Sequence, residues 1–100
     1  MDITLFARKE NGLPGYHGDV CVSVPVGSVS RLSESLLQAA NEALKEAVSA
    51  CGPGKHFRDI GNAVEKVAKE HGYSIVGDLT GHGIGREFHA YPLVLHSRMF

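Results

Sequence analysis

The sequence predicts an α+β chain, a largely antiparallel sheet with two covering helices, and three observations carry that reading. Apolar residues alternate with period two in the N-terminal part. From Ser30 they recur with a helical period instead, and short apolar runs return after Gly72. A chain of 100 residues with 43% hydrophobic and 21% charged residues is of single-domain size. At this length a domain hides roughly two thirds of the surface its unfolded chain exposes, which allows a modest core.

Met1 to Ala7 (MDITLFA) and Asp19 to Val26 (DVCVSVPV) read as strands. They are joined by Asn11-Gly12 and Leu13-Pro14-Gly15, residues that favour turns, so the pair forms a β-hairpin. Within the second strand Val20, Val22, Val24 and Val26 share one face and Asp19, Cys21, Ser23 and Pro25 the other. A helix of about twenty residues follows. Ser30 is its N-cap, Leu37, Ala40, Leu44, Ala47, Val48 and Cys51 form its apolar stripe, and Gly52-Pro53-Gly54 stops it. A second helix runs from Phe57 to His71, turns Ile60, Ala63, Val64, Val67 and Ala68 inward, and ends at Gly72 as a left-handed cap. Tyr73 to Val76 reads as a short strand, the glycine segment after it as irregular chain, and Leu93 to His96 as a last strand.

Charge and composition exclude several functions. Ten Lys and Arg are interspersed with eleven acids, leaving no basic stripe for a phosphate backbone or a membrane surface. No apolar run reaches the length of a membrane span and the N-terminus does not read as a signal peptide. Cys21 and Cys51 are far apart, in no CxxC pattern, and read as reduced thiols. The excess is in histidine, of which there are six.

Two groups of residues suggest chemistry. Asp2 and Asp19 fall on successive strands, and a turn near Asn11-Gly12 gives Asp2, Thr4 and Asp19 a common face. Neighbouring carboxylates repel unless a cation or a shared proton lies between them, although aspartates at strand ends are commonly just solvated. The second group is Gly81-His82-Gly83-Ile84-Gly85-Arg86-Glu87-Phe88-His89. Its GxGxG spacing differs from the GxGxxG dinucleotide fingerprint. Glycine lets a backbone pass close to another chain or a ligand, and so directs His82 to one side. His82 and His89 could be loop and packing histidines, or one could bind metal while the other stabilises a charged intermediate. Carboxylate oxygen with neutral imidazole is a donor set that Mn, Fe, Co and Zn accept.

Taken in order, Gly15-Tyr16-His17-Gly18-Asp19, Val26-Gly27, Pro53-Gly54, Asp59-Ile60-Gly61, His71-Gly72-Tyr73-Ser74 and GHGIGREFHAYPLVLH resemble the type I methionine aminopeptidases, over nearly the whole chain. The resemblance implies part of a pita-bread fold, with residues 1–100 forming a partial catalytic domain that lacks the family's upstream part. It implies two divalent metal ions, Co, Mn, Fe or Zn. Asp2, Asp19 and His82 resemble the metal-binding residues, His89 the catalytic histidine that contacts the scissile amide, and Phe88 a wall of the methionine pocket. The implied activity is removal of the N-terminal methionine from nascent proteins. The implied setting is the cytoplasm, with mitochondrion or plastid left open and an association of the full-length protein with the ribosome.

Some features depart from the family pattern. Two further metal-binding glutamates, one of them the proton shuttle, have no counterpart among these residues, and Glu87 occupies neither position. The hairpin loop is longer than usual, and Val20-Cys21 stands where the family has Thr-Ser, which puts Cys21 on the metal face. The chain alone is therefore expected to be inactive. The alternative is a non-catalytic relative of the same fold that binds peptide or protein.

Overall fold

The computed structural model describes residues 2–9, as backbone, and 15–97. Its elements run β1 (Asp2–Lys9), β2 (Gly18–Pro25), α1 (Arg31–Ser49), α2 (Phe57–Glu70), β3 (Thr80–Gly83) and β4 (Ala90–Leu95). The α+β class holds, and the strands form two separate two-stranded ribbons, β1-β2 and β3-β4. Two compact units contain these elements, one of residues Met1–Leu37 with His82–Pro92 and one of Gln38–Gly81 with Leu93–Phe100.

In the first unit β1 and β2 pair antiparallel without a break from Asp2↔Pro25 to Lys9↔Gly18. Both strands alternate without an internal glycine, so nothing in them favours a bulge. Met1 and the expected turn at Asn11-Gly12 and Leu13-Pro14 lie outside the described residues. Gly15 has φ of 85°, a conformation that favours glycine. Val20, Val22 and Val24 are 63%, 50% and 40% exposed, so the apolar side of β2 is open among the described residues.

Helix α1 starts where its cap predicts. The Ser33 backbone N–H donates to Ser30 Oγ at 3.1 Å, satisfying one of the amides a helix start leaves unpaired. The expected inward stripe is only partly inward. Leu37 and Ala47 are half-buried, whereas Ala40, Leu44, Val48 and Cys51 are exposed and Ala39 is buried. The least exposed side is the row Ala39, Ala43, Ala47, offset from the bulkier leucines, since small side chains allow a neighbour closest approach.

Helix α2 holds more of the core, with Gly61, Val67 and Ala68 buried. At its start the His56 N–H donates to Asp59 Oδ2 at 2.9 Å. At its end the Tyr73 N–H reaches Ala68 O at 2.8 Å and the Gly72 N–H reaches Lys69 O at 3.1 Å, a Schellman closure. The φ of 76° at Gly72 makes that closure possible. His71 Nε2 lies 2.8 Å from Glu42 Oε2, linking the end of α2 to α1. Gly61 lets α2 meet the backbone beyond it, since an added Cβ would lie 2.5 Å from Ser97 O and 2.8 Å from Leu95 O.

The strand expected at Tyr73 to Val76 does not form: the Tyr73 amide is committed to the helix end, and residues 73–76 join no sheet. The strand forms later, in the glycine segment expected to be irregular. It can do so because its glycines admit β4 at very short range. A Cβ on Gly83 would overlap the Tyr91 carbonyl, and one on Gly81 would lie 3.3 Å from Val94 Cβ. The expected strand at Leu93 to His96 is the later part of β4, which begins at Ala90.

Candidate functional site

The first unit brings together the start of β2, the end of β3 and the loop after it. Strand alternation places the two bare glycines of β3 on the side opposite His82. His82 thereby comes within 3.4 Å of Asp19, measured from Nε2 to Oδ2, with side-chain exposures of 17% and 22%.

The other ring nitrogen decides how this pair should be read. His82 Nδ1 lies 2.9 Å from the Gly83 carbonyl oxygen, which can only accept, so Nδ1–H is the donor. In the neutral ring Nε2 then carries a lone pair, directed at a carboxylate oxygen that also carries lone pairs. Two acceptors at this separation need a proton or a cation between them. A carboxylate oxygen with an imidazole whose second nitrogen is hydrogen-bonded to a carbonyl is the arrangement by which proteins hold divalent transition metals. The donor set therefore fits the metal implied by the sequence.

The remaining side chains surround this pair. The His82 ring centroid is 4.5 Å from that of His89 and 5.5 Å from that of Phe88. Phe88 and His89 meet edge to face at 4.5 Å. His89 is exposed while Phe88 is half-buried, so the second imidazole is accessible to an incoming molecule and has an apolar ring beside it. The Glu87 carbonyl accepts the Gly85 N–H at 3.1 Å, a tight turn that folds Phe88 and His89 back toward His82.

Asp2 stands apart from this cluster. Its backbone is opposite Pro25, whereas Asp19 is opposite Arg8, so the ladder parity is shared but the two aspartates lie toward opposite ends of the hairpin. At a rise of about 3.3 Å per residue the backbones are roughly 20 Å apart along the strand. In this register the Asp2 and Asp19 backbones are therefore well separated, since the ladder runs unbroken from Asp2↔Pro25 to Lys9↔Gly18. Among the described residues no three metal-binding side chains converge on one point. Cys21, on the Asp19 side of β2 by alternation, is exposed.

Sequence reasoning left two nearby residues unassigned. The His17 N–H donates to the Gly85 carbonyl at 2.8 Å, and its ring meets Phe88 edge to face at 5.6 Å. The guanidinium of Arg86 lies 5.4 Å from the centre of the Tyr16 ring. Tyr16 and His17 stand immediately before Asp19, in Tyr16-His17-Gly18-Asp19, and that place is the available signal.

Comparison with known proteins gives a consistent result. Residues 11–99 match the model of metallopeptidase family M24. Methionine aminopeptidase 1D, chloroplastic/mitochondrial, of Arabidopsis thaliana is 38% identical over 98% of this chain and 26% of its own length. Methionine aminopeptidase B of Synechocystis is 39% identical over 96% of this chain and 33% of its own. The chain thus spans about a quarter to a third of these relatives. The crystal structure of methionine aminopeptidase from Rickettsia prowazekii superposes with a TM-score of 0.89 at 34% identity, covering 98% of this chain and 39% of that one. An X-Pro aminopeptidase from Thermotoga maritima, at 22% identity and a TM-score of 0.74 over 95% of this chain, shares the fold.

Proposed function

Since the chain belongs to metallopeptidase family M24 and carries part of the pita-bread fold, we propose that it forms the Asp-His portion of a methionine aminopeptidase, a metal-dependent enzyme that removes the N-terminal methionine of nascent proteins. The observation that carries this reading is the contact of Asp19 Oδ2 and His82 Nε2 at 3.4 Å, beside Phe88 and His89. Bound there, a divalent ion supplies Lewis-acid polarisation of a carbonyl and a water acidified toward neutrality. Mn, Fe, Co and Zn all suit the oxygen and nitrogen donors.

The chain's own residues take these roles. Asp19 and His82 bind the ion, and the Gly83 carbonyl fixes the His82 tautomer that leaves Nε2 free to bind. His89 donates a hydrogen bond to the scissile amide and to the negative charge that develops on its carbonyl oxygen. Phe88 walls the space for the methionine side chain. Asp2 is the further carboxylate of the family resemblance, and its recruitment requires β1 to slide along β2 from the observed register. A nascent-chain substrate would be met at ribosomes of the cytoplasm or of an organelle, and the Arabidopsis relative carries the name chloroplastic/mitochondrial.

Titration of the purified chain with Co²⁺ or Zn²⁺, followed by calorimetry, tests the reading. Asp19→Asn and His82→Ala are each expected to weaken binding at least about tenfold. Asp2→Asn is expected to leave it unchanged in the observed register. Equal affinity in all the variants would sink the metal assignment. Release of methionine from a Met-Ala-Ser peptide by the isolated chain would overturn the expected inactivity.

A further inference from the structure

Phe88 and His89 lie outside the strands. They follow a tight turn closed by the Gly85 N–H on the Glu87 carbonyl, in a loop where no strand ladder fixes the side chains. His82, by contrast, is on β3. For His89 to keep its place beside His82, the loop between them must be held from another direction.

The residues just before β2 reach this loop at three points. The His17 amide holds the Gly85 carbonyl at 2.8 Å. The Tyr16 ring lies 5.4 Å from the Arg86 guanidinium, within cation–π range. The edge-to-face contact of the His17 ring with Phe88, at 5.6 Å, is in the favourable range for aromatic pairs. Phe88 is thus lined by the His17, His82 and His89 rings. The same short segment continues through Gly18 into Asp19, so one stretch of backbone carries a metal-site carboxylate and grips the loop bearing the second histidine.

From this we infer that Tyr16-His17 is a positioning element that sets Phe88 and His89 relative to His82, and so sets the side wall and the hydrogen-bond donor of the peptide-binding space. The inference rests on the roles proposed above for Phe88 and His89. His17 acts through its neighbours: its amide fixes where the loop turns, and its ring closes one side of Phe88. A change in this ring alters the shape offered to the first side chain of a substrate while leaving the Asp19–His82 contact in place.

The test is NMR of the isotopically labelled chain, free of metal, reading NOEs among the rings of His82, Phe88 and His89. His17→Ala is expected to lose the His82–His89 and Phe88–His89 NOEs while the amide shifts of α1 and α2 stay in place. His17→Phe, which keeps an aromatic edge and the backbone N–H, is expected to restore both NOEs. Tyr16→Ala is expected to weaken them. Unchanged NOEs in His17→Ala, or no recovery in His17→Phe, would overturn the inference. If His17→Ala does not fold, His17→Gln takes its place with the same two readouts. Because the spectra are recorded without metal, their outcome is independent of the Co²⁺ titration, and failure of one leaves the other readable.

Discussion

Gly83 and Gly85 belong to one motif and respond oppositely to an added methyl group. At Gly83 the new carbon would overlap the Tyr91 carbonyl, a backbone group that can give way only if β3 and β4 part. Gly83→Ala is therefore expected to cost about 1–3 kcal/mol, as overpacking does. At Gly85 nothing lies within 4 Å, and Gly85→Ala is expected to stay within about 0.5 kcal/mol. Urea midpoints of the two variants check the contrast. The glycines of GHGIG indicate that another backbone or a ligand comes close somewhere in the motif. They do not reveal where, because that depends on Ala90 and Tyr91 in the facing strand. Likewise, the residue types of Asp19 and His82 allow a metal donor set to be proposed from sequence. The tautomer that aims Nε2 at the carboxylate depends on the Gly83 carbonyl, which no residue name discloses.

Among the elements, the helix ends are legible in sequence because their signals are local. Ser30 caps α1 and Gly72 closes α2, because capping depends on residues within one turn of the end. Ser30→Ala is expected to cost about 1 kcal/mol. Gly72→Ala, forced into a left-handed conformation at φ of 76°, is expected to cost about 1–2 kcal/mol. Thermal melts followed by circular dichroism at a helix wavelength measure both. The strands were less legible, since pairing is settled by distant partners. Tyr73 to Val76 has good strand residues, but its first amide is committed to the helix end. Residues 80–83 have poor strand residues and pair nonetheless, because bare glycines fit closely against β4. The register of β1 on β2 belongs to the same class: residue parity was readable, while the distance from Asp2 to Asp19 was decided by where the hairpin turns.

At the scale of the molecule, burial among the described residues is sparse. The buried hydrophobic ones there are Ala39, Val67 and Ala68, two of them alanines, while Val20, Leu32, Leu44, Val48 and Leu93 are each at least half exposed. Side chains this small contribute little transfer free energy, and a chain of this length has little stability to lose. The purified chain is expected to unfold cooperatively but at a low urea midpoint; a midpoint typical of a well-filled domain of this length would contradict this. The fold class was readable from the alternation of periods, and the family from the ordered motifs. The openness of the core was not, because the apolar stripes of α1 and β2 look the same in sequence whether or not something covers them. The β1-β2 ribbon gives that openness a kinetic meaning. It has a row of exposed valines and, among the described residues, no further strand along either edge, and such a ribbon can recruit further strands into a growing stack. Loss of the chain from solution is then expected to rise with its concentration, which light scattering along a dilution series measures.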